Sequence, residues 1–243
     1  MTLFPSSWGM KSKIASANLS PLPRPSVGDF LWYDKDMEEK IAKIKEWLGS
    51  GSINIFGLPM SGKDTQGIML AQALGAKLLS SGMIIRAKEA ETKQSLTDNG
   101  NLLPTNMFYD WVLPYFERPD LFKQPLILSS IGRWYGEENA VMSAAAGAGH
   151  EIMAVILLNV SEKDVESRFE SAKILNDRGD RKDDDNIEVF RNRMKEFREK
   201  TLPVLYHYRD LDLLIEVNGN QERDKVFNEI VEKLYEKASQ SPV

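Results

Sequence analysis

The sequence predicts a parallel α/β fold around five buried strands, on three observations. Short β-type runs near 53–57, 77–79, 125–129, 152–158 and 212–217 alternate with stretches of helical periodicity, the order of a sheet built from crossover units. Two of the runs, Leu126-Ile127-Leu128 and Ile152–Leu158, are apolar throughout instead of alternating, as strands covered on both faces are. The first run passes through a glycine-bounded turn directly into a helix.

Bulk composition narrows the class without choosing a function. Hydrophobic residues make up 42% and charged residues 28% of the 243 positions, which excludes wholesale disorder. A formal charge of -5, from 31 basic and 36 acidic side chains, argues against a nucleic-acid binder. With no cysteine, disulfides, iron–sulfur ligation and thiol catalysis are excluded. The two histidines, His150 and His207, are far apart and lack ligand-spaced partners, so a histidine metal site is not expected. The longest strongly apolar stretch, Ile152–Leu158, is far shorter than the roughly 20 residues of a membrane span. Lys11 and Lys13 are not followed by a long apolar segment with a cleavage pattern, so no secretory signal is expected. The expectation is a cytoplasmic protein, monomeric and without a membrane partner.

The elements follow in order. Residues 1–33 carry Pro5, Pro21, Pro23 and Pro25 among serines and glycines, a composition for loop or extended chain. Trp8, Phe30, Trp32 and Tyr33 leave three readings open for this segment: docking on the main domain, contact with a partner, or a mobile tail. Met37, Ile41, Ile44, Trp47 and Leu48 recur at helical spacing, predicting a packing helix over 36–48 that ends at Gly49. Residues 1–50 are thus read as an N-terminal extension and 51–243 as the main domain. Later, Ser161 with Asp164 three positions on starts another helix as a capping box does. Ile187, Phe190, Met194 and Phe197 form the inward stripe of the next, begun by Asn186 or Asp185. Val226, Phe227, Ile230, Val231 and Leu234 do the same for the last. His150 is read as structural or exposed.

The first strand leads into Gly57-Leu58-Pro59-Met60-Ser61-Gly62-Lys63-Asp64-Thr65-Gln66 and then a helical run to Leu74. Gly57 and Gly62 permit a tight wrap, and the helix start adds amide donors and a favourable dipole. Lys63 reaches outer phosphates as a point charge. The Thr65 hydroxyl is placed for a magnesium ion or a phosphate oxygen. Asp64 opposes a phosphate if it points inward. Arg168, Arg178, Arg181, Lys182, Arg191 and Arg193 form a basic run, read as a solvated surface unless phosphoryl chemistry recruits it.

Gly57–Gln66 resembles the phosphate loop of adenylate kinases and related nucleoside monophosphate kinases, G-x-P-G-x-G-K-G-T-Q, with Met60 and Asp64 where that pattern has glycine. Ser80-Ser81-Gly82-Met83-Ile84-Ile85-Arg86 is similar to the family's S-T-G-D-x-L-R, and Ser129-Ser130-Ile131-Gly132-Arg133 to its D-G-F-P-R. The resemblance covers about residues 52–236. It implies a three-layer α/β/α P-loop kinase fold, with a short acceptor-binding region over 80–104 and a short lid over about 168–193. It also implies ATP and Mg2+ as cofactors and a nucleoside monophosphate as substrate. Gly57, Pro59, Ser61, Gly62, Lys63, Asp64, Thr65, Gln66 and Asn218 would bind ATP. Ser81, Arg86, Leu103, Arg133 and Glu137 would bind the acceptor, Glu137 standing where the family has a base-reading glutamine. Thr65 and Ser129 would serve the metal. Lys63, Arg133, Arg168, Arg181 and Arg193 would carry catalysis.

The reaction implied is reversible transfer of the ATP γ-phosphoryl group to AMP. GMP, CMP or UMP are alternative acceptors. Ser129, in place of an acidic strand end, and Met83 keep open a weakened or regulatory nucleotide binder. An ATPase or interaction module using the aromatic extension is the third reading.

Overall fold

The computed structural model describes residues 34–93, 95–175 and 186–240. The proline-rich segment and Arg178, Arg181 and Lys182 therefore lie outside the described residues. Five strands, β1 (Ser52–Gly57), β2 (Lys77–Ser80), β3 (Leu126–Ser129), β4 (Ile152–Asn159) and β5 (Leu214–Asn218), form one sheet in the order β2-β3-β1-β4-β5. Every pairing is parallel. The central strand, β1, is buried along its whole length, which explains why its apolar residues do not alternate with charged ones. Register sets Ile55 beside Ser129 on one side and Ile156 on the other. The end of β3 is thereby brought next to the strand that feeds the phosphate-loop sequence.

Helices cover both faces. On one, α1 (Lys35–Leu48), α2 (Lys63–Leu74) and α9 (Arg223–Gln240) bury Ile41, Ile44, Leu70, Leu74, Phe227 and Leu234 against Ile53, Ile55 and Ile156. On the other lie α5 (Glu137–Gly147) and α8 (Leu202–Asp210). There Val141, Ala145 and Leu205 are buried, and Phe56 meets Tyr208 with ring centroids 6.3 Å apart. The outcome is the expected three-layer α/β/α architecture of P-loop kinases.

The helix read from the sequence as part of the extension lies in the same compact unit as the strands. α1 packs with the main body because its stripe of Ile41, Ile44 and Leu48 joins the core that α9 completes. Asp34 caps it, accepting from the Met37 amide at 2.9 Å. Ile44 has no solvent exposure, so Ile44→Val removes one methylene from a packed site. We expect a loss of about 1 kcal/mol in a urea unfolding midpoint, with an unchanged denaturant slope. A helix that merely tethers a tail would show no change.

The remaining helices frame the strands' C-terminal ends: α3 (Ser81–Thr92), α4 (Thr105–Trp111), α6 (Glu162–Leu175) and α7 (Ile187–Glu196). Leu58, Val165, Phe169, Phe190 and Met194 form a second small core, with the Phe169 and Phe190 rings 4.4 Å apart. This cluster fastens the turn after β1 to α6 and α7. A π-helical turn, Phe197–Thr201, joins α7 to α8. β5 starts at Leu214, two residues later than the sequence pattern suggested, since Leu211 is exposed and Asp212 takes a left-handed turn with φ 56°. His150 is buried, with its Nδ1 3.0 Å from the Ser50 carbonyl oxygen, and serves structure.

Candidate active site

The turn after β1 is tight. A Cβ added to Gly57 would stand 2.4 Å from Ser61 Oγ, so the returning loop passes directly over the Gly57 backbone. Gly62 caps α2 in the left-handed region, φ 89°, at a helix start whose first-turn amides have no i−4 carbonyl within the helix and favour anions. Met60 is also left-handed, φ 64°, which costs a side-chain-bearing residue about 1 kcal/mol. Its side chain packs on the Leu58–Phe169 cluster in return. Arg168 reinforces the same loop: its Nη1 donates to the Met60 and Ser61 carbonyls at 3.3 Å, and its Nη2 to Gly219 O at 2.8 Å. The arginine thus ties the phosphate loop to the turn after β5.

A cavity of about 540 Å³ opens beside this loop. Gly57, Pro59, Met60, Gly62, Lys63, Asp64 and Thr65 line it together with Ser81, Arg86, Leu103, Arg133 and Glu137. Ser129 lines it too, with its hydroxyl donating to Asp64 Oδ1 at 2.8 Å. The other Asp64 oxygen is 4.0 Å from Lys63 Nζ. Asp64 therefore faces the β3 end, the direction in which its charge bears on any bound phosphate.

Arg133 is set by a chain of contacts from the sheet. The Asn54 amide on β1 donates to Ile131 O at 2.8 Å and accepts from Ile131 N, fixing the turn after β3. The Arg133 Nε donates to Ser130 O at 3.2 Å. Burial lowers the guanidinium to about 10, and Arg193 and Arg86 push the same way, while Asp64 and Glu137 oppose them. The group stays cationic at neutral pH. Two arginines that disfavour the Arg133 charge make this a place that an anion would relieve.

Ser81 starts α3 and donates to Ser130 O at 2.8 Å, fastening the helix that carries Arg86 to the end of β3. Gly82 leaves space for the folded-back Arg86 guanidinium, whose Nη1 would sit 3.1 Å from an added Cβ. Arg193 approaches from α7, which is held against the 98–101 turn. The Asn192 amide donates to Asn99 O at 2.8 Å and Asn101 Oδ1 at 2.9 Å. A side chain at Gly100 would collide with Val189 O at 2.7 Å and Arg193 Cγ at 2.8 Å. This glycine lets Arg193 and α7 pass close to the 98–101 turn.

Other candidates occupy different places. Gln66 is buried and donates to Arg223 O at 2.8 Å, an anchor between α2 and α9 outside the cavity wall. Asn218 lines a shallower neighbouring depression with Asn159, Ser161 and Glu229. Ser61 lies beneath the loop, its hydroxyl buried and unpaired. Arg181 falls outside the described residues. The cavity also takes in Phe108, Trp134, Phe169, Phe190, Phe197 and Thr201, none of which the sequence pattern marks as a site residue. Helical periodicity marks Phe169, Phe190 and Phe197 as core but cannot say that they also wall a cavity.

Glu137 is buried with both oxygens engaged. Oε2 accepts from the amides of Arg133 at 2.9 Å and Trp134 at 3.1 Å, and Oε1 from the Thr105 hydroxyl at 2.9 Å. Burial pushes its carboxyl above the usual range, against the pull of these hydrogen bonds and Arg133. The folded state therefore holds this proton to higher pH than the unfolded chain, so its contribution to stability falls as pH rises out of the ordinary glutamate range. Glu137→Gln is expected to flatten that segment of the pH–stability curve, read from urea midpoints between weakly acid and neutral buffers. An unaltered curve would place the titration elsewhere.

Among the described residues, no helix is long and apolar enough to cross a membrane, and no group of three or more metal-ligating histidine or carboxylate residues occurs. No protein-family model matches the chain. The adenylate kinase of Brucella anthropi is 32% identical over 184 residues, covering 72% of this chain and 94% of that protein. Those of Brucella ovis and Brucella suis are each 31% identical over the same length, with the same coverage. The matched stretch spans nearly the whole of each relative, and the parallel sheet has the architecture that kinase-type phosphoryl transfer on a P-loop scaffold uses. The chain belongs to the adenylate kinase family of nucleoside monophosphate kinases.

Proposed function

We propose that the protein transfers the γ-phosphoryl group of ATP to AMP, reversibly, giving two molecules of ADP. The observation that carries this reading is the single cavity joining the Gly57–Thr65 loop to Arg86, Arg133 and Arg193. Two phosphate-binding ends in one enclosure suit direct transfer between two nucleotides. Lys63 and the loop amides hold the donor phosphates. Arg86 and Arg133 orient the acceptor phosphate, and Arg193 meets the charge that spreads over the transferred oxygens. Arg168 holds the loop from behind, through the carbonyls it already contacts. Arg181 is assigned to the same closing segment by its sequence position alone. An acceptor phosphate oxygen forms the new P–O bond while the bond from the γ-phosphorus to the bridging oxygen breaks, so no protein nucleophile is needed.

For Mg2+, the available donors are the Thr65 and Ser129 hydroxyls and the Asp64 carboxylate, all hard oxygens of the kind that ion takes, directly or through water. When bound, the ion neutralises β- and γ-phosphate charge. AMP is favoured over a guanine acceptor because both Glu137 oxygens are already occupied by protein donors and the relatives are adenylate kinases. The test is a product-resolved assay of ATP and Mg2+ with AMP, GMP, CMP, UMP and dTMP. Stoichiometric ADP from ATP and AMP supports the proposal. Phosphate release without acceptor phosphorylation would make the protein an ATPase, and nucleotide binding without turnover a regulatory binder.

A further inference from the structure

The phosphate loop contains a negative charge that ordinary anion binding does not explain. Asp64 is the second residue of α2, within the first turn whose amides and dipole attract phosphate. Its carboxylate competes for that field and stands 4.0 Å from Lys63, reducing the cation's pull on a polyphosphate. Ser129 restrains it: its hydroxyl donates to Asp64 Oδ1 at 2.8 Å and holds the partly exposed carboxylate at the cavity wall. Asp64 also acts electrostatically on Arg133 across the cavity. A free polyphosphate entering here meets a fixed carboxylate. A polyphosphate carrying a divalent cation brings the positive charge that satisfies both anions.

We propose that Asp64, aimed by Ser129, makes nucleotide binding conditional on a divalent cation, holding the cation or its water while rejecting the metal-free nucleotide. The inference rests on the phosphoryl-transfer reading above, since it requires ATP in this cavity. Thr65, the next residue on the helix and also at the cavity wall, supplies a neutral oxygen to the same ion. By linkage, a factor that cation gives to nucleotide affinity is returned by nucleotide to cation affinity, so the coupling is measurable without turnover.

The experiment is calorimetric titration of the full chain with ATP in excess EDTA and again in excess Mg2+, for the wild type, Asp64→Asn and Ser129→Ala. A parallel measurement follows free Mn2+ by electron paramagnetic resonance as it binds each protein–ATP complex. The wild type is expected to prefer the metal-bound nucleotide by about 100-fold. In Asp64→Asn the preference should shrink at least ~10-fold, chiefly because metal-free ATP binds more tightly, with Mn2+ affinity in the complex falling by the same factor. Ser129→Ala, which frees the carboxylate to turn outward, should fall between. Asn at position 64 keeps the side-chain volume, and unchanged melting of the variant shows that the fold is not the cause. ATP binding by the wild type with the same cation coupling in all three proteins would overturn the proposal alone. No ATP binding by the wild type under either condition would overturn the nucleotide reading and this inference with it.

Discussion

Replacing Lys63 with alanine should lower phosphoryl transfer about 10³-fold, roughly 4 kcal/mol of transition-state stabilisation. Lys63 is the first residue of α2 and lines the cavity. Its side chain is only 15% exposed, so its charge acts in a medium less screening than water. Alanine at this first helical position preserves backbone geometry and helix propensity, leaving the loop amides in place. The loss has two origins. The transferred group loses the one lysine at the loop, and the Asp64 carboxylate, 4.0 Å away, loses a partner that offsets it. ATP affinity in Mg2+ should therefore fall as well, by a smaller factor than kcat, because the amides and the cation still hold the phosphates. Lys63→Arg should restore little, since a planar fork does not replace a compact ammonium on a four-carbon stem. The check is kcat from product-resolved assays beside ATP titration and thermal melting. A kcat within about tenfold of wild type in a folded Lys63→Ala protein would remove Lys63 from the reaction.

What the sequence disclosed and what it did not divide along physical lines. The phosphate loop was legible because its determinants are contiguous: Gly57 for the close pass, Gly62 for the left-handed cap, Lys63 beside them. The alternation of strands and helices was legible for the same reason, being a local periodicity. The Asp64–Ser129 contact was not, because the two residues are far apart in sequence and meet only through the parallel pairing of β1 with β3. Read singly, Ser129 is a missing charge and Asp64 a misplaced one. Read together, each accounts for the other. The same limit applied to α1, whose stripe announced a buried face without saying that α9, at the other end of the chain, buries it. It applied also to Arg168, whose position suggested a phosphate contact while its guanidinium is committed to loop carbonyls. Spacing locates a charge along the chain, and only packing decides what the charge faces.

Arg133→Ala should produce the second large effect, and on a different substrate. Arg133 lines the cavity where we propose the acceptor binds, half-buried, with Nε committed to Ser130 O and a terminal pair of nitrogens able to take a phosphate in two parallel hydrogen bonds. Burial and two neighbouring arginines depress its guanidinium to about 10, an electrostatic cost to the cation that an acceptor phosphate would relieve. Removing Arg133 removes both that relief and the orienting fork. We expect kcat/KM for the nucleoside monophosphate to fall by about 10³, with kcat contributing because misplaced acceptors rarely attain the in-line geometry. ATP affinity should change by a smaller factor than acceptor use, since the donor loop is untouched and Asp64 loses one countercharge while keeping Lys63 beside it. Arg133→Lys should recover charge but not two-point contact, leaving most of the deficit. The sign of the pH response follows as well. The cationic form is the competent one, so wild-type acceptor use is flat through neutrality and declines as pH rises toward about 10. In Arg133→Lys the ammonium, under the same desolvation and the same neighbouring arginines, loses its proton sooner, and the decline should begin at lower pH. Equal acceptor kinetics in wild type and Arg133→Ala, or equal loss of ATP and acceptor affinity, would place the acceptor phosphate elsewhere in the cavity, leaving Arg86 and Arg193 as its remaining arginines.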